Sequence, residues 1–382
     1  MKRKKQVLAL AAALVFWLIP AAPRARAASV GGLSSLSAVL YEPESGRILY
    51  EKDAHTPRPM ASTTKLMTAL IAMEHCSPEQ EVTVTAEAVR VEGSALGLRA
   101  GDTITMKDLI TGLLLESGND AANVAAYTVA GGIPAFAAMM NARAASLGMR
   151  DTVFVTPSGL DEGDHSSSAY DMALLAAEVL KNDLLAEICA TKTAVIRFGN
   201  PPRDVAVSNH NKLLRLYPYA IGMKTGFTKK SGRCLVSAAE KEGVRLIAVT
   251  LNGGDYWNDH MSLYDAGFSM VESVPLAKPE LPALPVAGGT VASVGVTMED
   301  PPSRTLLVEE REKVRAVVEL PRFLLAPVEE GTPLGRVRYF AGNRELCSLP
   351  LMAAGSVEAR PVAGFWARFG GYIVEMLRAF AG

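Results

Sequence analysis

Ser62 and Lys65 stand three residues apart in the stretch PMASTTKLMTALIAME, residues 59–74, which is otherwise almost entirely apolar. The apolar residues leave little polar face and predict a buried helix. Side chains three residues apart on a helix share a face, so the Lys65 amine can reach the Ser62 hydroxyl. Burial among apolar neighbours lowers the pKa of a lysine, so this pair predicts a serine nucleophile with a lysine base. Alone, the pattern also fits a capping serine beside a lysine that reaches solvent.

Two further short motifs follow along the chain. ESGND places Ser117 and Asn119 in a joint between two predicted helices, which can direct a hydroxyl and an amide into a cleft. IGMKTGFT places Lys224 and Thr225 on a predicted strand, where they offer an ammonium and a hydroxyl to a substrate carboxylate. Gly226 in this strand leaves room for another backbone to approach closely. Alone, the two motifs fit a helix-to-helix turn and a surface strand with a turn glycine.

Together, S-x-x-K, S-x-N and K-T-G occur in the order typical of class A β-lactamases and penicillin-binding proteins, on a helix, a joint and a strand. The sequence resembles the low-molecular-mass penicillin-binding proteins, the serine-type D-alanyl-D-alanine carboxypeptidases, over nearly its whole length. Besides the motifs, the resemblance rests on YEPESGRILYEKD, SGLDEGDHSSSAYDMALLA and NHNKLL. It implies hydrolysis of the terminal D-Ala–D-Ala bond of peptidoglycan stem peptides through an acyl-enzyme, with no cofactor and with β-lactams as covalent inhibitors.

The resemblance also implies a role for each motif residue. The implied catalytic residues are Ser62, Lys65 and Ser117, and the implied substrate-binding residues are Asn119, Lys224, Thr225, Gly226 and Phe227. Ser62 is the acylated nucleophile and Lys65 is its base. Ser117 helps to pass the proton to the leaving amine.

The remaining implied roles concern the substrate. Lys224 and Thr225 hold its terminal carboxylate, and the backbone N–H groups of Ser62 and Phe227 form the oxyanion hole. Two residues depart from the family pattern, because Phe227 and Ser158 each stand where many relatives have histidine. The first change can alter contacts with the substrate or leaving group, and neither change touches the nucleophile.

Two other functions stay open. A β-lactamase shares the motifs but needs a glutamate to hydrolyse its acyl-enzyme quickly, in class A within an E-x-x-L-N pattern. The nearest match, Glu178 to Asn182, lies inside a predicted amphipathic helix and lacks the Leu-Asn pair, and S-G-N also favours the carboxypeptidase. The other alternative is a non-catalytic protein that binds the cell wall or senses β-lactams. The intact Ser62, Lys65 and Lys224 argue against it.

Composition excludes several classes of partner. The net charge is -1, which argues against recognition of nucleic acid through a bulk electrostatic field. The sequence contains no Gly-rich phosphate loop, and its five histidines lack the spacing of a metal site, so no metal or cofactor is predicted. The four cysteines are widely scattered without a C-x-x-C pair, which favours free thiols over a disulfide framework.

The order of predicted elements favours an α+β fold. The sequence predicts a β-hairpin over 37–53, helices over 106–116, 119–130, 134–147 and about 168–189, and strands over 193–197, 204–208, 220–225, 233–239 and 244–251. Because the hairpin and the late strands enclose a helical middle, the two ends are expected to share one antiparallel sheet. The resemblance implies the same transpeptidase/β-lactamase-like fold for 28–272. The proline-rich stretch 273–289 then predicts a linker, and 290–356 a small all-β domain.

The two chain ends predict export and membrane attachment. Basic residues precede an apolar run over 7–19 and the small-residue site ARA, so residues 1–27 are predicted to be a cleaved signal peptide. In 361–382, large apolar residues recur at three- and four-residue intervals. They predict an amphipathic helix lying in the membrane surface, at the outer face of the cytoplasmic membrane. The alternatives are an uncleaved N-terminal anchor and a tail helix packed on its own domain.

Overall fold

A computed structural model describes residues 30–361 and 365–380 of the chain. These residues divide into two compact units, the first ending at Glu272 and the second beginning at Ser273. The predicted signal peptide lies outside the described residues.

The first unit contains nine strands and eight α-helices among its described residues. Its strands are β1 (Ser37–Glu42), β2 (Arg47–Lys52), β3 (Glu81–Thr83), β4 (Thr103–Thr105), β5 (Thr193–Gly199), β6 (Pro202–Ser208), β7 (Ala220–Thr228), β8 (Gly232–Lys241) and β9 (Val244–Gly253). Its helices are α1 (Lys65–His75), α2 (Met106–Leu115), α3 (Asn119–Ala130), α4 (Ile133–Ser146), α5 (Ala169–Val179), α6 (Asp183–Ala190), α7 (Leu213–Leu216) and α8 (Tyr256–Met270).

The main sheet joins the two ends of the first unit. Its strand order is β2-β1-β9-β8-β7, and β1 pairs antiparallel with both β2 and β9. Strands β3 to β6 form a second antiparallel sheet in the order β3-β4-β5-β6. The predicted α+β fold, with hairpin and late strands in one sheet around a helical middle, is confirmed.

Two boundaries differ from the sequence predictions. The helix that carries Lys65 begins at that residue, and Ser62 lies in the preceding 3-10 turn, Ala61–Thr64. The single helix predicted over about 168–189 is wrong, because α5 ends at Val179 and α6 begins at Asp183. The break arises because the Asn182 side chain accepts a hydrogen bond from the Leu185 N–H and so starts a new helix.

A buried apolar core fixes the start of α1. Leu66, Met67, Leu70 and Ile71 are all at most 3% exposed and belong to one large hydrophobic cluster of the first unit. Burial of several such side chains contributes roughly 1.5–3 kcal/mol each, so α1 is a rigid support for the residues at its N-terminus. Among the described residues, no single helix has the length and apolarity to cross a membrane. The α3–α4 pair meets both criteria only together, with a bend of 85° between its helices.

The second unit is mainly β-structure. Strand β10 (Val271–Pro275) leads into it, and its further elements are β11 (Leu284–Ala287), β12 (Ser293–Val294), β13 (Val296–Thr297), β14 (Ser303–Leu307), a 3-10 turn (Val308–Lys313), β15 (Val314–Glu319), β16 (Leu324–Leu325), β17 (Pro333–Ala341), β18 (Arg344–Ala353) and α9 (Phe365–Phe380). The largest sheet has the order β13-β18-β17-β15. Val337, Tyr339 and Leu351 are buried on its inner face. Strand β11 and the end of strand β10 fall in the stretch 273–289 predicted as a linker.

Candidate active site

Three backbone segments bring the sequence motifs together: the turn before α1, the α2–α3 joint and strand β7. In or beside each motif, a residue other than glycine has a left-handed backbone, with φ of 49° at Ala61, 64° at Ser117 and 85° at Met223. Such conformations cost free energy and persist where surrounding structure imposes them. Their coincidence with the three motifs marks this region as a functional site.

Lys65 is the centre of the site. It is fully buried, and its Nζ lies 2.9 Å from Ser62 Oγ, 2.7 Å from Asn119 Oδ1 and 2.6 Å from the Ser158 carbonyl oxygen. Burial holds the pKa of Lys65 well below its ordinary value. The Lys224 ammonium acts in the same direction, and the Asp120 carboxylate opposes both.

The partners of Lys65 determine which way a neutral amine points. The Asn119 oxygen is identified by the other half of its amide, because Nδ2 donates to the Glu92 carbonyl at 2.6 Å. Asn119 Oδ1 and the Ser158 carbonyl oxygen can only accept hydrogen bonds, whereas a neutral amine has two N–H groups and one lone pair. When Lys65 gives its two N–H groups to these oxygens, its lone pair faces the Ser62 hydroxyl.

The α2–α3 joint is hydrogen-bonded to the loop that precedes β4. The Asn119 N–H donates to the Ser94 carbonyl at 2.8 Å, and the buried Asp120 carboxylate accepts the N–H groups of residues 96, 97 and 98. Ser117 is only 5% exposed, and its hydroxyl forms no hydrogen bond within the part of the chain that the structure describes. The joint therefore holds Asn119 rigidly and leaves the Ser117 hydroxyl available to a substrate.

Strand β7 passes directly beside Ser62. A Cβ at Gly226 would lie 2.8 Å from the Met60 carbonyl oxygen and 3.0 Å from the Ser62 nitrogen, so only glycine permits this approach. Thr225 is partly buried, and the side chain of Phe227 is 65% exposed. The predicted close approach of another backbone at Gly226 is present.

Lys224 is the second buried cation of the site. It is 1% exposed, and its Nζ donates to the Thr225 carbonyl at 3.1 Å. Burial lowers the pKa of Lys224 to about 8, and the sulfur of Cys189 and the carboxylate of Glu116 oppose the change. A buried ammonium with one hydrogen-bond acceptor among the described residues is stabilised strongly by an incoming anion.

Sequence reasoning missed several residues around the motifs. The Asp120 carboxylate holds the loop 96–98 by accepting its backbone N–H groups. The Ser158 carbonyl contacts Lys65, although only the Ser158 side chain was considered from the sequence. Glu116 lies 3.5 Å from the half-exposed His210, whose pKa is lowered chiefly by burial and then by Lys224. These groups act through backbone atoms or long-range contacts, for which the residue letters alone give no signal.

The remaining sequence predictions concern Glu178, a metal site and the four cysteines. The Glu178 carboxylate contacts Arg143 at 2.6 Å and Lys181 at 2.8 Å, and these cations lower its pKa. It is therefore engaged in surface ion pairs on α5. Within residues 30–361 and 365–380, no group of three or more His, Cys, Asp or Glu side chains could hold a metal ion. Cys76, Cys189, Cys234 and Cys347 are free thiols in the structure.

The chain is similar to known proteins in sequence and in structure. The profile of the D-alanyl-D-alanine carboxypeptidase family matches residues 24–255, and that of the penicillin-binding protein 5 C-terminal domain matches residues 277–359. D-alanyl-D-alanine carboxypeptidase DacF of Bacillus subtilis is 31% identical over 83% of this chain and 84% of its own length. DacC of Escherichia coli is 28% identical over 98% of this chain and 96% of its own. The crystal structure of penicillin binding protein 5 from Haemophilus influenzae has a TM-score of 0.64 at 28% identity, over 86% of this chain and 98% of that one.

Proposed function

The chain belongs to the D-alanyl-D-alanine carboxypeptidase family, and we propose that Ser62 and Lys65 carry out its acyl transfer. The family and its relatives make the protein a serine-type D-Ala–D-Ala carboxypeptidase and penicillin-binding protein that acts on peptidoglycan. The observation that carries the residue assignment is the environment of Lys65, a buried amine held between two obligate acceptors and the Ser62 hydroxyl.

Acylation begins with a proton transfer from the Ser62 hydroxyl to the neutral Lys65 amine. Ser62 Oγ forms a bond to the carbonyl carbon of the penultimate D-Ala, and the carbonyl oxygen becomes an oxyanion. The N–H groups of Ser62 and Phe227 stabilise this oxyanion. The peptide C–N bond then breaks, and the proton passes from Lys65 through the Ser117 hydroxyl to the leaving nitrogen, which departs as free D-alanine.

Deacylation repeats the same chemistry with water. Lys65, again neutral, takes a proton from the attacking water, the new C–O bond forms at the acyl carbon, and the ester bond to Ser62 breaks. The proton returns to Ser62 Oγ and the shortened stem peptide leaves. Because β-lactams present an equivalent amide carbonyl, they acylate the same hydroxyl, and their opened ring remains attached as a leaving group that cannot diffuse away.

Recognition of the substrate carboxylate belongs to β7. We assign it to the Lys224 ammonium and the Thr225 hydroxyl, with Asn119 lining the cleft and Gly226 allowing the strand to lie beside Ser62. A bound carboxylate favours the charged form of Lys224 and raises its lowered pKa. This provides selectivity for a peptide with a free C-terminus.

The test uses the purified mature protein and a peptide that ends in D-Ala–D-Ala. We expect release of D-alanine and, with penicillin, a single covalent adduct on Ser62. Ser117→Ala is the matched serine control, which should still form the adduct, more slowly. An adduct that maps to another serine would overturn the assignment. Rapid turnover of penicillin without D-alanine release would favour a β-lactamase, and no chemistry with either compound would favour a sensing or binding protein.

We also propose that the protein is exported and lies at the outer face of the cytoplasmic membrane. Export rests on the signal-peptide pattern of residues 1–27, which gives a mature chain from Ala28. In this proposal 28–272 is the catalytic domain, 273–289 a linker, 290–356 the small β domain and 361–382 the membrane-binding segment. Action on the cell wall from outside the cytoplasm agrees with the relatives of this chain.

Membrane binding rests on α9. Its side chains include the exposed Tyr372, Met376 and Leu377, with exposures of 75%, 56% and 61%. Burial of such an apolar face at the headgroup boundary supplies binding free energy without a spanning helix. Deletion of 361–382 should release the mature protein from vesicles of phosphatidylglycerol and phosphatidylethanolamine, with hydrolysis of soluble peptides unchanged. A truncated protein that stays bound, or that loses peptide hydrolysis, would contradict this role.

A further inference from the structure

His165 is a buried side chain that the mechanism above does not use. It lies in the connection between α4 and α5 and is 4% exposed. Its Nδ1 accepts the backbone N–H groups of Val155 at 2.9 Å and Thr156 at 3.3 Å, and its Nε2 lies 2.8 Å from Thr64 Oγ1. Because backbone N–H groups can only donate, Nδ1 carries no proton, so Nε2–H donates to Thr64.

The partners of His165 lie on both sides of the catalytic lysine. Thr64 immediately precedes Lys65, and Val155 and Thr156 precede Ser158, whose carbonyl oxygen contacts Lys65 Nζ at 2.6 Å. His165 therefore joins the turn that carries the nucleophile to the short loop 155–159. Its ring also packs edge-on against Phe154, with 5.9 Å between ring centroids.

The same loop approaches α1 at one further point and the 3-10 turn before it at another. Thr68 Oγ1 donates to the Pro157 carbonyl at 2.6 Å. A Cβ at Gly159 would lie 2.0 Å from the Ala61 carbonyl oxygen, so only glycine, here with a φ of 85°, allows the backbones to touch. The loop thus fits closely around the first turn of α1, and a small displacement of it moves the Ser158 carbonyl relative to Lys65.

We propose that neutral His165 is a positioning residue for the catalytic base, which holds the Ser158 carbonyl against Lys65 and thereby aims the Lys65 lone pair at Ser62. The proposal rests on the role of Lys65 as base. Without the Ser158 acceptor, a neutral Lys65 amine has only Asn119 Oδ1 to fix its orientation, and its lone pair is no longer restricted to the direction of the hydroxyl.

The tautomer of His165 is maintained across the working range of pH. Burial lowers its pKa to about 4; Asp161 in the same connection opposes this and Lys65 on α1 reinforces it. The ring therefore remains neutral above about pH 4, and Nδ1 remains an acceptor. His165 is not a general base, and its effect on the reaction passes through Lys65.

The test is the penicillin acylation rate constant of full-length mature variants as a function of pH. His165→Phe keeps the ring that packs on Phe154 and removes both hydrogen-bonding nitrogens. We expect its rate constant per folded molecule to fall by about 10- to 100-fold, as for a small misplacement of a reacting group, with little change in non-covalent affinity. The Ser158 carbonyl stabilises the charged form of Lys65, so loss of this contact should lower the pKa of Lys65 further. The part of the pH profile in which the rate constant rises, its rising limb, should then move to lower pH.

Two controls separate positioning from simple destabilisation. Thr64→Val removes only the hydroxyl that accepts from His165 and should shift the limb in the same direction, whereas Thr64→Ser should behave like the parent. His260→Phe removes an equally buried histidine whose side chain hydrogen-bonds Ser237 on β8 and Thr250 on β9 and none of the motif side chains. It should lower the thermal unfolding midpoint without moving the limb.

The outcomes distinguish the two proposals. Parental rate constants and an unmoved limb in both His165→Phe and Thr64→Val would overturn the role of His165. If His165→Phe does not fold, the comparison of Thr64→Val with Thr64→Ser decides alone. If Lys65 is not the base, the rising limb of the parent itself will survive Lys65→Arg, and that result contradicts the proposed function before His165 is considered.

Discussion

Two lysines of the first unit and two arginines of the second unit stand in contrasting environments. In the first unit, Lys65 and Lys224 are buried, and within the described residues neither forms an ion pair with a carboxylate. In the second unit, Arg336 and Arg338 lie on the outer face of the largest sheet and pair with Glu319, at 2.7 and 3.2 Å. Arg338 also pairs with Glu345 at 2.5 Å.

The buried lysines are the groups proposed to take part in chemistry, whereas the exposed arginines contribute to solubility and modestly to stability. A buried ammonium without an opposite charge destabilises the folded state, so such a group is expected to have a function. Exposed ion pairs contribute little and can be exchanged at small cost. The two buried lysines therefore support the proposal that the catalytic groups lie in the first unit.

The largest expected effect comes from the nucleophile. Ser62→Ala removes the atom that forms the acyl bond, so D-alanine release should fall by at least about 10⁴-fold, comparable to removal of the nucleophile in other serine hydrolases. Mass spectrometry should find no penicillin adduct, and circular dichroism should be unchanged. A covalent adduct on the variant would contradict the assignment.

The two buried lysines should respond differently to arginine. Arginine keeps the positive charge but does not lose its proton in a protein, so Lys65→Arg cannot act as a base and should slow acylation by roughly 10³-fold. Lys224→Arg still presents a cation to the carboxylate and should lose only about tenfold. Stopped-flow measurement of penicillin acylation checks both. Equal losses would mean that the two lysines share one role.

The pH dependence should combine both lysines. Activity of the free enzyme rises with pH as Lys65 loses its proton, because only its neutral amine accepts a proton from Ser62. It should fall again near pH 8, where Lys224 loses the charge that binds the carboxylate. The profile of kcat/KM on a D-Ala–D-Ala peptide is therefore bell-shaped. Lys224→Arg should remove the falling limb, and a limb that remains there would assign it to another group.

The sequence predicted the fold class and the Ser62–Lys65 contact for physical reasons. Alternating hairpin residues and the apolar spacing of α1 are local patterns that secondary structure obeys. The spacing of Ser62 and Lys65 fixed their contact, although a 3-10 turn replaced the expected helical start. The side-chain cap at Asn182, which split one predicted helix into two, is a short-range signal that the periodicity concealed.

Contacts distant in sequence could not be predicted in the same way. Lys65 meets the Ser158 backbone, and Thr64 meets His165, across segments whose proximity only the folded chain creates. The left-handed backbone at Ser117 and Met223 was also invisible, because neither residue type favours it. These unexpected features cluster at the proposed site, as is common where function overrides local preference.

A smaller effect concerns stability, and it tests whether the buried charge of Lys224 is a cost. Lys224→Met removes an ammonium whose pKa in the folded protein is about 8 instead of 10.5. The unfolded chain therefore binds more protons, so the parent gains stability between about pH 8 and 10.5 and bears the full cost below pH 8. At pH 7 the variant should be more stable by about 1–3 kcal/mol, and inactive. Urea unfolding measures this, with the exposed Lys230→Met as a control that should change neither property.

The smallest effect should come from the charged face of the second unit. Glu319→Gln removes the partner of Arg336 and one of the two partners of Arg338, while the Arg338–Glu345 pair remains. Because these groups face solvent, water and salt replace most of the lost interaction, so the thermal unfolding midpoint should stay close to that of the parent. D-alanine release should be unchanged, since the catalytic groups proposed here all lie in the first unit. A loss of activity comparable to that of Lys224→Arg would show that the outer face of β15 and β17 takes part in function. The contrast between buried cations for chemistry and exposed pairs for solubility would then fail.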